Sequence, residues 1–193
     1  MRRRTFDALL TVGGLIVATV LVAAGGLLLW ANNFVEDQVS TQLTAQKIYF
    51  PEAGSDSAND PAVKEYIAPY LGQQVTNGEQ AQVFADHYIG AHLAAIGGGK
   101  TYSELSEISR ANPDDAEAAA AVQTAFRGET LRGLLLNAYA FWKMGQIALY
   151  GAIAAFAGAA LMLILSILGI AHLRRVPVEQ EVRLGTGVKP ATA

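Results

Sequence analysis

The chain has 193 residues, of which 52% are hydrophobic and only 16% charged, with a formal net charge of −3. Soluble domains average about 25% charged residues, so an ordinary soluble globule is excluded unless the apolar residues are segregated, and nothing supplies the basic patch that nucleic acid requires. There is no cysteine, which excludes a disulfide framework, thiolate chemistry and a cysteine metal site.

Segregation is what the sequence shows. Residues 1–7 form a short basic start with Arg2, Arg3 and Arg4, and residues 8–30 follow as 23 residues without a charge. At about 1.5 Å of rise each they are long enough to cross a hydrocarbon core of about 30 Å. A signal peptide also begins with a basic segment, but its apolar part is about 7–15 residues and ends at a small-x-small cleavage site. No clear site of that kind precedes Trp30, so this run is expected to remain as a membrane anchor.

Beyond the anchor, Val35, Val39 and Leu43 continue at i, i+4, i+8, and the periodicity predicts one helix extending to about Gln46. From Phe50 to Pro61 the composition turns to Pro, Gly, Ser, Asn and Asp, which predicts a loop. Asp60-Pro61 then reads as an N-cap with Pro at N1, opening a short helix with Val63, Tyr66, Ile67 and Tyr70 before Gly72. Thr76-x-x-Glu79 and Thr101-x-x-Glu104 have the capping-box pattern. The first predicts a helix carrying Val83, Phe84, His87, Tyr88 and Ala91 and stopped by Gly97-Gly98-Gly99; the second predicts a short helix to about Ala111. Asn112-Pro113 reads as another start, with Asp114, Asp115 and Glu117 at the positive end of the helix dipole. That helix is expected to reach Phe126, kink at Gly128 and lead through Leu131, Leu134, Leu135 and Ala138 into a second uncharged run, residues 144–171. The tail, residues 172–193, contains Pro177, Gly185, Gly187 and Pro190 and is expected to be disordered.

Lys and Arg flanking a span are retained on the cytoplasmic side. The two ends carry seven basic against three acidic residues, whereas residues 31–143 carry seven basic against fourteen acidic. Both termini are therefore expected inside and the middle segment outside. Trp30, Phe34, Tyr139, Phe141 and Trp142 then fall at the outer headgroup level, where amphipathic rings settle. The fold expected is an all-α membrane protein: two transmembrane helices with an extracytoplasmic helical domain, residues 31–143, inserted between them.

Candidate sites are few. Gly97-Gly98-Gly99-Lys100-Thr101 ends like a phosphate-binding loop, but Ala94 stands where a glycine is needed and a helix precedes it; a glycine helix stop accounts for it and no nucleotide is expected. His87 and His92, with Asp86 alongside, are five residues apart, about 140° around an α-helix, unlike the i, i+4 pair that chelates a metal. No metal, cofactor or catalytic set is expected. Arg127, Glu129 and Arg132 precede the second span and could hold lipid headgroups or an acidic partner surface, or serve as interfacial anchors and local ion pairs. Both runs lack Asp, Glu, Lys and Arg, which argues against ion or proton transport. They do contain small residues at close-packing spacing: Gly14, Ala18 and Gly26 in the first, and Gly151, Ala155 and Ala159 in the second. These suit contact between the two spans or with another membrane protein.

Ala45-Gln46-Lys47-Ile48-Tyr49-Phe50-Pro51, Gly72-Gln73-Gln74-Val75, Ala85-Asp86-His87-Tyr88, Gly99-Lys100-Thr101-Tyr102-Ser103 and Phe126-Arg127-Gly128-Glu129-Thr130-Leu131-Arg132-Gly133 give the chain a resemblance. It resembles an uncharacterised family of actinobacterial two-span membrane proteins over most of residues 34–150. The resemblance implies an actinobacterial plasma-membrane protein and brings no activity with it. Some such proteins are labelled aromatic ring-opening dioxygenases, chemistry needing iron held by two histidines and a carboxylate on a cytoplasmic scaffold; the histidine spacing and the absence of a sheet do not match it. The function expected is a non-enzymatic accessory or scaffold protein that contacts membrane lipid and binds another membrane complex or cell-envelope component. The alternative is an extracytoplasmic ligand-binding or sensor protein with a pocket near His87, Tyr88 and Tyr66.

Overall fold

A computed structural model describes residues 3–175 of the chain. It contains helices α1 (Arg3–Gln46), α2 (Asp56–Asn59), α3 (Lys64–Ile67, continued by a 3-10 turn, Ala68–Tyr70), α4 (Gly78–Val83), α5 (Gly90–Gly97), α6 (Tyr102–Ala111) and α7 (Ala116–Leu173), with a π-helical segment, Phe84–Ile89, joining α4 to α5. No strand occurs among the described residues; a single antiparallel bridge pairs Tyr49 with Gln74. The expected irregular tail after Arg175 falls on residues 176–193, outside the described residues.

Two helices, α1 and α7, are long and apolar enough to cross a membrane. A core helix of a soluble protein would be mostly buried, but only 17% of the most apolar stretch of α1 and 11% of that of α7 are buried. The apolar side chains instead face outward: Leu10, Ile16, Leu27, Ile153, Leu161 and Ile167 are all more than half exposed.

The chain divides into two compact units, Met1–Trp30 with Leu149–Ala193, and Ala31–Ala148. In the first unit α1 and α7 meet along a seam spaced alternately by three and four residues, Thr11, Gly14, Ala18, Leu21, Gly25 and Leu28, the 3.5-residue period of paired helices.

In the second unit Val39 and Leu43 of α1 and Leu135 of α7 form a core with Phe50, Val63, Ile67, Val75, Ala81 and Phe84. Phe50 stacks on Tyr70 and meets Phe84 edge-on, both with centroids 5.2 Å apart. Burial, and then the carboxylate of Glu79, push the Tyr70 phenol above its ordinary pKa. The segments flanking α2 and α3 are tied together by the Phe50 N–H donating to the Gln73 carbonyl and the Val75 N–H to the Ile48 carbonyl, each at 2.9 Å. Gly78 abuts the Cβ of Trp142 and Gly128 abuts the side chain of Leu93, each so closely that a methyl group would overlap its neighbour.

Several local expectations hold. Helix α1 runs to Gln46, Thr101 and Glu104 form a reciprocal capping box, and Gly98 stops α5 in the left-handed region at φ 56°. Others are corrected. The expected loop from Phe50 to Pro61 contains the single turn α2, because the Ser55 hydroxyl accepts from the Ala58 N–H and caps it. Asp60-Pro61 opens a turn, and α3 begins only at Lys64.

Asn77, not Thr76, caps α4, its carboxamide oxygen accepting from the Gln80 N–H at 2.9 Å. Gln80 is buried, and its own oxygen accepts from the Thr76 N–H and hydroxyl, so the capping frame moves one residue to put Gln80 inside. Asn112 closes α6 through bonds to the Ile108 carbonyl, and Asp115 caps α7 by accepting from Glu117 and Ala118. Helix α7 passes Gly128 unbroken; that glycine serves close approach to Leu93.

Gly78→Ala is expected to destabilise the second unit by about 1–3 kcal/mol, the usual cost of overpacking, measured as a lower midpoint in thermal unfolding followed by tryptophan fluorescence. At the capping box, hydrogen bonds from the Thr101 backbone and then its hydroxyl hold the Glu104 carboxyl below the ordinary glutamate pKa. The capping bonds are therefore complete above the unfolded-state pKa and lost as pH falls through the lower folded value. The Thr101 amide proton resonance should titrate with an inflection below that of free glutamate; an inflection at or above it would contradict the capping geometry.

Candidate functional site

The small residues of the two apolar runs are largely consumed by the α1–α7 seam. A Cβ added to Gly14 would lie 2.5 Å from the Ser166 hydroxyl oxygen, one added to Gly151 would lie 3.2 Å from Leu28, and Ala18 and Ala159 are almost fully buried. Ala155 is half-buried on the same flank. Gly26 is not part of the seam: open space surrounds it, and Gly25 takes its place against the ring of Phe156 at 3.0 Å. Thr11 opposite Gly169 and Leu21 opposite Gly158 complete the contact. These pairs were missed because the phase of the seam is fixed by Thr11 and Ser166, polar residues that a search for small-residue spacing passes over.

In the second unit Arg132 of α7 donates to the Asp86 carboxylate at 3.0 Å and lies 3.7 Å from Glu129. A Cβ added at Gly90 would lie 4.0 Å from the Arg132 Nε, an ordinary van der Waals contact, so the reach does not depend on the glycine. The π-helical segment makes the pairing compatible with the core: its extra residue per turn lets Phe84 and Ala85 stay buried while Asp86 meets α7. Arg127 is exposed, outside this group.

His87 and Tyr66 lie together, with rings stacked at 3.7 Å and 4°. Tyr88 turns away from them, packing against Phe84 at 4.8 Å and His92 at 4.5 Å, and the His92 Nδ1 bonds to the Tyr88 carbonyl at 2.7 Å. The three residues therefore belong to two separate ring contacts. Among the described residues no cluster of three His, Cys, Asp or Glu side chains has the geometry to hold a metal ion.

A concave surface does exist elsewhere in the second unit. Phe34, Gln38, Gln42 and Gln46 of α1 and Leu134, Asn137 and Phe141 of α7 line a groove of about 480 Å³ floored by Val35, Val39 and Leu43. No lining residue is ionisable. Phe34, Leu134 and Phe141 are each more than half exposed, and the glutamines stand one helical turn apart. The signal was present at i, i+4, i+8 beside the buried valine file, but amide residues on a helix ordinarily read as a solvated face.

No family model, curated protein or solved structure matches the chain. The site is therefore argued from its own chemistry. Three neutral carboxamides from α1 and one from α7 offer both donors and acceptors between apolar walls, which suits a neutral or apolar surface carrying hydrogen-bonding groups; no acid, base or nucleophile faces the groove.

The Arg132–Asp86 pair is half-exposed, so a double-mutant cycle of Arg132→Ala and Asp86→Ala should give a coupling energy of about 1 kcal/mol or less, read from denaturant unfolding.

Proposed function

We propose that the protein is a non-enzymatic accessory or scaffold protein of the plasma membrane. Helices α1 and α7 cross the bilayer with both termini in the cytoplasm, and the domain between them lies outside. The groove of Phe34, Gln38, Gln42, Leu134, Asn137 and Phe141 receives another membrane protein or cell-envelope component. The observation that carries this reading is the groove itself, an uncharged recess with three large apolar side chains left exposed around it, since exposed apolar surface beside polar groups is the mark of an interaction site.

The outward-facing apolar stretches of α1 and α7 support a lipid environment. The excess of basic residues at the two ends supports the orientation, and the resemblance over residues 34–150 supports an actinobacterial plasma membrane. A non-catalytic role is favoured because packing already engages the titratable side chains in question: Asp86 with Arg132, His87 against Tyr66 and His92 with the Tyr88 carbonyl.

One observation favours a second reading, an extracytoplasmic ligand-binding protein. The groove volume of about 480 Å³ falls within the range of small-molecule sites, about 300–1,000 Å³, and would move that ligand from His87, Tyr88 and Tyr66 to the glutamine file.

The chain has no native cysteine, so a single Gln38→Cys reports cleanly. It should react with a membrane-impermeant maleimide in intact cells, and protection until lysis would reverse the orientation. A photo-crosslinking residue at position 42 should capture one discrete protein adduct that Phe34→Asp and Phe141→Asp each reduce at least fivefold. Absence of an adduct would leave the small-ligand reading in its place.

A further inference from the structure

The first unit contains a second recess that the packing seam does not explain. At the start of α1 and the end of α7, a groove of about 370 Å³ opens beside the paired helices. Its lining changes character along its length. At one end the Asp7 carboxylate lies 3.8 Å from the His172 Nε2. One to two turns further in are the hydroxyls of Thr11 and Ser166, in residues only 8% and 3% exposed. The walls are Leu10, Leu165 and Leu168, each more than half exposed.

Thr11 and Ser166 sit against glycine backbone on the opposite helix, Thr11 against Gly169 and Ser166 against Gly14, where an added Cβ would lie 2.5 Å from either hydroxyl oxygen. Polar side chains in an apolar helix pair are costly unless they find partners. The Thr11 hydroxyl donates to the Asp7 carbonyl at 2.8 Å, which leaves its oxygen able to accept. Outside this layer, Arg4 stands one turn before Asp7, and Arg174 and Arg175 follow His172 after Leu173.

The groups at and inside the mouth select the ligand. A metal ion does not fit, because the described residues offer no cluster of three metal-ligating side chains. A water-soluble anion would meet the guanidinium groups but has no use for three exposed leucines. A molecule with a phosphate ahead of ester oxygens and hydrocarbon suits arginines beyond the mouth and a recess in which hydroxyls and exposed leucines lie side by side.

Resting on the reading of α1 and α7 as membrane-crossing helices, we infer that this groove is a binding site for an anionic phospholipid of the cytoplasmic leaflet. The phosphate lies at the level of Arg4, Arg174 and Arg175, the ester region against Thr11 and Ser166, and one acyl chain along Leu10, Leu165 and Leu168. Basic recesses between spanning helices on the cytoplasmic side are suited to such headgroups. Arg4, Arg174 and Arg175 are exposed at that end of the helix pair, so guanidinium groups are the charge a headgroup meets first.

The test is native mass spectrometry of the full chain released from mild detergent with added phosphatidylglycerol, with phosphatidylcholine of the same acyl chains, and with glycerol phosphate. The expected result is one retained phosphatidylglycerol, favoured at least fivefold over phosphatidylcholine, with no retention of glycerol phosphate. Leu165→Trp, which fills the groove from its exposed wall, and the triple change Arg4→Gln, Arg174→Gln and Arg175→Gln, which leaves the helix seam intact, should each remove that preference.

Equal retention of the two lipids, or an unchanged preference in both variants, overturns the site. Retention of glycerol phosphate to the same extent would assign the groove to a free phosphate ester instead. Release of the protein from membranes by a carbonate wash would overturn the spanning reading itself, whereas a carbonate-resistant protein without lipid preference would overturn only the lipid site.

Discussion

Close approach of α1 and α7 is the constraint on which the other contacts depend. On the proposed membrane-crossing reading, helices surrounded by hydrocarbon gain little from burying apolar surface against each other, and their association relies on tight packing and hydrogen bonds between them. The first unit meets that requirement by placing a larger group opposite each small one: Ser166 on Gly14, Phe156 on Gly25, Leu21 on Gly158 and Thr11 on Gly169. In the second unit the same two helices are joined by the buried Asn32, whose carboxamide donates to the Gly145 carbonyl at 3.0 Å. A buried amide within a helix seam fixes register, since any slip leaves it without a partner.

With the pair fixed, the shorter helices have a surface to close on. The second unit has no disulfide to hold it, and its stability comes from aromatic and aliphatic packing around Phe50 together with two glycine contacts, Gly78 on Trp142 and Gly128 on Leu93. The π-helical segment follows from the same constraint. Phe84 and Ala85 must face the core and Asp86 must face Arg132 on α7, and a regular α-helical phase would place these groups differently. A wider turn reconciles them, and such turns are rare enough to mark a specific demand on the chain.

What was legible in the sequence was local. Val35, Val39 and Leu43 announce their buried face by spacing, Thr101 and Glu104 satisfy each other's nearby donors without help from the rest of the fold, and Gly98 has the freedom that a left-handed helix stop requires. What was not legible depended on distant partners. Thr76 and Asn77 are both competent caps, and the choice between them was made by where Gln80 could be buried. Gly25 and Gly26 are equivalent as letters; only the phase set by Thr11 and Ala18 decides which one meets α7. Gly128 resembles a hinge until Leu93 is seen against it. His87 and Tyr88 are adjacent and point about 100° apart on a helix, so one stacks on Tyr66 while the other packs on Phe84 and His92; which partner each would meet depended on segments distant in sequence.

This division bears on where recognition can occur. Small residues in a membrane helix invite a partner, but here Gly14 and Ala18 of α1 face α7 and Gly151 and Ala159 of α7 face α1, and a residue packed internally cannot also select a foreign one. Side chains free to choose a partner must lie off the seam, with surface that the fold leaves uncovered. The glutamine file of α1 meets that condition. Gln38 and Gln42 lie on the flank next to the half-buried Val35 and the buried Val39, beyond the reach of the core, with Phe34 and Phe141 exposed beside them. An amide row between apolar rings is a selective surface to cover, because each carboxamide must find both a donor and an acceptor as the rings are buried. The packing that engages the small residues of α1 and α7 thus leaves the groove of the second unit as the surface on which the proposed recognition rests.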